Sequence, residues 1–389
     1  MSGGRIRPLI LKKGVLVVLC IVVLIRSTIY IRHGSTIVLS GIIPSPNNYT
    51  SAKIDSDYDD PIHILITVCN GGNSDEQKSM SRYAEFIGLV RTIQRYGYGM
   101  TQQPQQNISS PGIIVHVFTD DASQLQKLLQ QPLTSKIIDR LDIRVHDIVK
   151  EPKSTNDYDR YRKCASARLY AQYLFQSAGE TLPERFLYLD TDTLVTAPLR
   201  QLWQYATEMF NKHPDALFAM VQECQMTEDM VNAGARGHQG ENITALDGTS
   251  HLIFAMPKGS CLGYNSGVLF AHLHRWQVRD FPSMVLEQEA HARTYNYESS
   301  MKFGDQGILN TMAARFPERL VELPCYWNMR SDSMQTCLPH WIKNGGGILH
   351  GNRRKFHTSA NAKLLREFLV RDDDSVDFVD FSISRWLVG

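Results

Sequence analysis

The chain has almost no net charge. Its 41 basic side chains stand against 40 acidic ones, a formal balance of +1. That removes the electrostatic case for a nucleic-acid partner. The sequence has no CxxC pair and no Cys/His spacing of a zinc module, which excludes the common Cys-based zinc folds. It has no internal repeat, so solenoids and propellers are excluded as well. It also lacks a long unbroken apolar run. The N-terminal run from Gly14 to Ile25 is 12 residues, whereas about 20 span a bilayer.

What is present is an ordinary globular composition with an unusual start. Apolar residues make up 43 % and charged residues 21 % of 389, enough to bury a sizeable core in one large α/β domain or two smaller ones. Arg5, Arg7, Lys12 and Lys13 precede the apolar run, Arg26 interrupts it, and Ile29, Tyr30 and Ile31 extend it. Counted through Arg26, whose long stem can carry its charge to the interface, the segment reaches 18 residues at Ile31. A cleaved signal peptide has the same charged start, but no small-residue cleavage site follows here. An uncleaved signal anchor fits better. It predicts a cytoplasmic tail over 1–13, a transmembrane helix over 14–31 and a lumenal bulk, because the basic flank stays cytosolic. Residues 32–60, with Pro44, Pro46 and the acidic Asp55–Asp60 stretch, read as a stem. Sequons at Asn48, Asn107 and Asn242 agree with a secretory route through the Golgi or endoplasmic reticulum membrane. Such a compartment permits disulfides. Cys325 and Cys337 are near in sequence and form the first expected pair, while Cys69 and Cys164 lie in apolar contexts and read as buried thiols.

From residue 61 the pattern alternates. Ile62 to Val68 is an apolar, β-rich run of the kind buried in parallel sheets. Helical spacing over 77–96, a strand over Gly112 to Thr119, a helix near 122–131 and a strand near Ile143–Ile148 follow. A helix from Lys163 to Phe175 then leads to a buried strand over Arg185 to Leu189. Alternation of this kind implies a mostly parallel, Rossmann-like sheet, which binds ligands at the carboxyl ends of its strands. The domain is expected over 61–375, with a tail over 376–389.

The strand at 185–189 runs straight into Asp190-Thr191-Asp192. Two carboxylates one residue apart at a sheet edge can bind a hard divalent cation, which in turn binds a pyrophosphate. Isolated, the pattern is more often a solvated turn. Haloacid-dehalogenase-like phosphatases also carry two aspartates after a buried strand, but on their first strand and with Thr or Val two residues on. Here the pair follows several α/β units, and that position is Leu194. Three later segments join the pair. Asn265-Ser266-Gly267 reads as a glycine-flanked turn before an apolar strand, where backbone can approach a ligand. Asp305-Gln306 stands where a helix starts, a position that Asp also fills as an ordinary cap. His350 ends an apolar strand and is followed by Arg353, Arg354 and Lys355, which suits a metal ligand beside phosphates.

These segments resemble, in order and spacing over about residues 62–370, the retaining glycosyltransferases of family 8. Cys164-Ala165-Ser166-Ala167-Arg168-Leu169, Cys325-Tyr326-Trp327-Asn328-Met329-Arg330 and Leu349 to Arg353 are similar to segments of the glucoside xylosyltransferases within it. The resemblance implies a Rossmann-like GT-A fold. It implies Mn²⁺ held by Asp190, Asp192 and His350, and a UDP-sugar donor. Thr67 and Val68 would lie near the nucleoside. Arg168, Asn265, Ser266, Asp305 and Gln306 would meet the donor sugar, Asp305 and Gln306 at the reacting centre. Arg353 or Lys355 would reach the diphosphate. The chain departs from many relatives at Gly307, where they carry an acid, and in placing Lys355 five rather than six residues after the histidine. The implied partners are UDP-xylose and glycoproteins bearing O-linked glucose on EGF-like repeats. A family 8 enzyme with another UDP-sugar, or a silent sugar-binding scaffold, are the alternatives.

Overall fold

The computed structural model describes residues 60–69, 76–98, 112–131, 141–148, 163–223, 263–294, 305–330 and 334–351. The anchor, the three sequons, Arg353, Lys355 and the C-terminal tail lie outside the described residues. Among the described residues no helix is long and apolar enough to cross a membrane.

The first half follows the expected alternation. Strand β1 (Ile62–Val68), helix α1 (Glu76–Tyr96), β2 (Ile113–Thr119), α2 (Ala122–Leu129) and β3 (Asp142–Asp147) come first. Next come α3 (Lys163–Ala167), a 3₁₀ turn (Arg168–Tyr170), α4 (Ala171–Ser177), β4 (Arg185–Leu189) and β5 (Thr193–Val195). The second half holds α5 (Leu199–Lys212), β6 (Phe218–Glu223), β7 (Gly263–His272), α6 (Leu273–Val278), α7 (Phe281–Thr294) and α8 (Asp305–Arg315). It closes with β8 (Leu320–Leu323), a 3₁₀ turn (Cys325–Asn328), β9 (Met329–Arg330), α9 (Met334–Lys343) and β10 (Ile348–His350).

Among the described residues, seven strands form the main sheet in the order β3-β2-β1-β4-β7-β6-β8. The pairs among β3, β2, β1 and β4 are parallel, β7 runs antiparallel to both β4 and β6, and β8 is parallel to β6. The sheet is therefore mostly parallel, with one reversed strand. Strand order reverses between β1 and β4, and ligands gather at the carboxyl ends beside such a switch point. Period-2 alternation sorts the side chains into two cores. Ile62, Ile64, Ile66 and Val68 of β1 join α1, α5 and the Trp327/Trp341 region on one face. Leu65, Phe118, Phe186 and Tyr188 meet Phe175, Trp276 and α8 on the other. Both faces are covered, which is why β1, β2 and β4 read as nearly unbroken apolar runs.

Three expectations change. The helix expected over Lys163–Phe175 is interrupted by the 3₁₀ turn at Arg168, where the guanidinium is drawn to partners on three other elements. Asn265 and Ser266 lie within β7 rather than in a turn before it. The register against β6 shifts there: Met220 faces Leu269 while the next residue, Val221, faces Asn265. Residues 266–268 thus bulge from that pairing, a device that re-aims side chains beside functional sites. Cys69 and Cys164, read as buried thiols, are joined as a disulfide that ties the end of β1 to α3. Apolar surroundings suit a cystine as well as a thiol, so composition could not separate the two. Cys325 and Cys337 are also joined, clamping the turn before β9 to α9.

Candidate functional site

Asp190 and Asp192 follow β4 at the carboxyl edge of the sheet. The backbone N–H of Asp190 donates to the carbonyl of Gly267 at 2.9 Å, so β4 and β7 remain paired up to the site. His350 arrives from 160 residues away in a second sheet, ordered β5-β10-β9. Strand β10 runs antiparallel to β5, with His350 opposite Thr193. The N–H of Gly351 donates to the carbonyl of Asp192 at 2.7 Å. This pairing sets Nε2 of His350 3.2 Å from Asp192 Oδ1 and 3.8 Å from Asp190 Oδ2.

The histidine's tautomer can be worked out atom by atom. The backbone N–H of Gly267 donates to Asn265 Oδ1 at 2.9 Å, which marks that atom as the oxygen. The Asn328 side-chain atom 2.8 Å from Asn265 Oδ1 must then be its amide nitrogen. Asn328 Oδ1 therefore faces His350 Nδ1, at 2.9 Å, and accepts its proton. In the neutral ring that leaves the Nε2 lone pair aimed at the two carboxylates. Burial pulls the His350 pKa down, but Asp192 and Asp190 outweigh it and raise the pKa above the ordinary 6.5. A cation among these three groups would take that proton's place.

Two carboxylates and an imidazole, with ligand atoms all within 4.8 Å of one another, form a donor set that fits Mn²⁺. Gly267 makes the approach feasible: a Cβ there would lie 2.7 Å from His350 Nδ1 and 2.9 Å from Asp190 Oδ2, and closer still to Cε1.

Beside this set lies a buried ion-pair network. Arg168 Nε is 2.8 Å from Asp305 Oδ2 and its Nη2 is 2.9 Å from Asp190 Oδ1. Its Nη1 donates to the Ser266 carbonyl, and its guanidinium lies over the Tyr188 ring with Cζ 4.0 Å from the centroid. Tyr188 donates its hydroxyl to Asp190 Oδ1 at 2.8 Å and meets Thr67 Oγ1 at 3.0 Å. The Ser266 hydroxyl reaches Asp305 Oδ2 at 3.3 Å, and its backbone N–H reaches Gln306 Oε1 at 3.3 Å. Burial pushes the Asp305 carboxyl up to about 6, against the pull of Arg168 and with help from the Asp190 charge. One guanidinium thus sets both the Asp190 carboxylate and the acid at the start of α8, a fork geometry that lysine cannot reproduce.

The structure brings together Arg168, Asp190, Asp192, Asn265, Ser266, Asp305, Gln306 and His350. Arg168, Asn265, Ser266 and Asp305 are buried and brace one another, while Asp190 and Asp192 keep 27 % and 23 % of their side-chain surface open to incoming groups. Thr67 and Val68 end β1 at the same edge, the hydroxyl of Thr67 engaged by Tyr188 and Val68 packed in the core. Sequence reasoning gave no role to Tyr188 or to the side chain of Asn328. The first looks like any strand aromatic, and the second acts through partners found only after folding.

The profile of glycosyl transferase family 8 matches residues 95–344. The chain belongs to that family. It is homologous to glucoside xylosyltransferases. It is 25 % identical to glucoside xylosyltransferase 2 of Xenopus laevis over 253 residues, 62 % of this chain and 53 % of the relative. It is 25 % identical to glucoside xylosyltransferase 1 of Danio rerio over 330 residues, 82 % of this chain and 67 % of the relative. The chain thus spans 41 % to 67 % of the length of the curated relatives it matches. Among solved structures, the galactosyltransferase LgtC in complex with donor and acceptor sugar analogues superposes with a TM-score of 0.51. That match is at 16 % identity and covers 82 % of this chain and 98 % of the other. This likeness identifies the fold as GT-A-like, a mixed α/β architecture on a mostly parallel sheet.

Proposed function

We propose that this chain is a Mn²⁺-dependent retaining xylosyltransferase. In this reading it moves xylose from UDP-xylose to O-linked glucose on EGF-like repeats of glycoproteins. It works as a type II membrane protein with its catalytic domain in the lumen of the Golgi or endoplasmic reticulum. The observation that carries the reading is the meeting of Asp190, Asp192 and His350 beside the Arg168–Asp305 pair. The names of the homologous glucoside xylosyltransferases support the sugar, and the basic, apolar N-terminus supports the address.

Breaking the bond between sugar and diphosphate builds negative charge on UDP and oxocarbenium character on the sugar. Asp190, Asp192 and His350 would hold the cation, which supplies the positive charge that offsets the departing diphosphate. Arg168 keeps the Asp190 carboxylate in place. Asp305 and Gln306, at the start of α8, would orient the donor sugar. Gln306 is an amide and a poor nucleophile. Attack by the acceptor hydroxyl on the face the diphosphate leaves, with a phosphate oxygen taking the hydroxyl proton, gives retention without a covalent intermediate. Trapping a glycosyl group on any side chain of this protein would overturn that step.

The full chain, supplied with Mn²⁺ and a panel of UDP-sugars, should release UDP from UDP-xylose in preference to the others. It should also xylosylate a glucosylated EGF-like repeat. Asp192→Asn should abolish the metal-dependent turnover. Equal indifference to every donor, with no UDP binding, would refute the enzymatic reading; preference for another sugar would refute the donor.

A further inference from the structure

A second group of metal-ligating side chains lies on the sheet away from Asp190. His63 of β1, His116 of β2 and His146 of β3 stand on the same sheet face. The His116 ring stacks on His63 at 5.4 Å and on His146 at 6.2 Å, with interplanar angles of 16° and 18°. Glu180 is set over them from the end of α4. Gly179 adopts φ 69°, and the N–H of Glu180 donates back to the Phe175 carbonyl at 3.0 Å, so the helix stop itself aims the carboxylate.

We propose that His116, His146 and Glu180 form a binding site for a divalent zinc-class ion, separate from the Asp190 site. His116 Nδ1, His146 Nε2 and Glu180 Oε1 supply the ligands.

Four observations carry this. Each of the three residues offers one ligand atom, and these atoms lie within 4.8 Å of one another. His146 Nε2 and Glu180 Oε1 are 3.5 Å apart, too far for a good hydrogen bond. Two ligands at zinc distances of about 2.0–2.1 Å on a tetrahedral centre stand about 3.3 Å apart, close to that spacing. His116 is fully buried, and neither its Nδ1 nor His146 Nε2 has a hydrogen-bond partner among the described residues. An unsatisfied buried nitrogen is costly, and a metal bond satisfies it. The outer groups also complete the pattern. His116 Nε2 lies 3.1 Å from His63 Nδ1. A proton on Nε2 donated there frees the Nδ1 lone pair for a metal. The second oxygen of Glu180 accepts from Arg144 Nη1 at 2.6 Å. The charge of Arg144 is matched in turn by Asp142, at 2.7 and 3.0 Å. His146 and Glu180 keep 15 % and 16 % of their side chains exposed, which leaves an entry at the edge of the sheet. Two imidazoles and one carboxylate suit zinc and leave a fourth position for water.

The test uses the full chain, stripped with chelator, reloaded with Zn²⁺ in excess Mn²⁺, and assayed for metal content after gel filtration. The expected result is one retained zinc per chain in the wild type and in Asp192→Asn. His146→Gln and Glu180→Gln, each checked for an unchanged thermal melt, should lower zinc affinity more than about 100-fold. His63→Gln and Arg144→Gln should lower it by the roughly 10- to 100-fold typical of outer-shell partners. Co²⁺ in place of zinc should give the intense visible bands of tetrahedral coordination, lost in Glu180→Gln. The proposal is overturned if the wild type retains no zinc. It is equally overturned if zinc persists in both His146→Gln and Glu180→Gln, or if Asp192→Asn abolishes retention.

Discussion

Replacing Gly267 by alanine tests the metal site through a residue that donates no ligand. A Cβ at this position would stand 2.7 Å from His350 Nδ1 and 2.9 Å from Asp190 Oδ2. Ordinary carbon contacts begin near about 3.5 Å, so the imidazole must move by at least about 0.8 Å or β7 must shift. The bulge gives β7 little freedom, because Gly267 is held at its N–H by Asn265 and at its carbonyl by Asp190. His350 should therefore yield, whereas metal–ligand distances tolerate only about 0.2 Å. The expected outcome is a Mn²⁺ affinity reduced at least about 10-fold, on the scale of a lost outer-shell partner. Overpacking should also lower stability by about 1–3 kcal/mol. Calorimetric titration with Mn²⁺ and denaturant unfolding measure the two effects. Gly112→Ala serves as the control, since a Cβ there meets nothing within 4 Å among the described residues. If Gly267→Ala binds Mn²⁺ like the wild type while keeping full stability, the packing argument is wrong and His350 is not held where the geometry places it.

Three further outcomes are expected. Asn328→Leu removes the acceptor that sets the His350 tautomer and should weaken Mn²⁺ by about 10- to 100-fold; Asn328→Asp, which still accepts from Nδ1–H, should recover part of that loss in the same titration. Cys69→Ser opens a disulfide with a sequence separation of 95 and should lower unfolding free energy by about 2–5 kcal/mol in denaturant melts. His272 is buried with its pKa lowered from 6.5 to about 3, first by burial and then by Arg275 and Arg185. The unfolded chain binds the proton more readily, so this contribution is present above pH 6.5 and is lost as pH falls toward 3. Acidification from pH 6.5 to 5 should remove about 2 kcal/mol of stability, and His272→Gln should flatten that slope in melts across the range.

The alternation of apolar strands with amphipathic helices determined the α/β architecture, because strands buried on both faces leave an unmistakable run of Ile, Val and Leu. It also determined that Asp190 and Asp192 stand at a strand's carboxyl end, since the run 185–189 stops there and the carboxylates cannot be buried with it. Local pattern could not say how Asn265 and Ser266 are presented. Their bulge exists only because β7 must pair with β4 and β6 at once, and no spacing in the sequence records that compromise. It could not distinguish the Cys69–Cys164 cystine from two buried thiols, since both like the same surroundings. Nor could it assign Asn328, Tyr188 or the three stacked histidines, whose partners lie on other strands and helices. The types of ligand were legible residue by residue. Which lone pair faces which carboxylate was decided by the tertiary structure, where strand β10 beside β5 and one backbone N–H at Gly267 orient every polar atom up to His350.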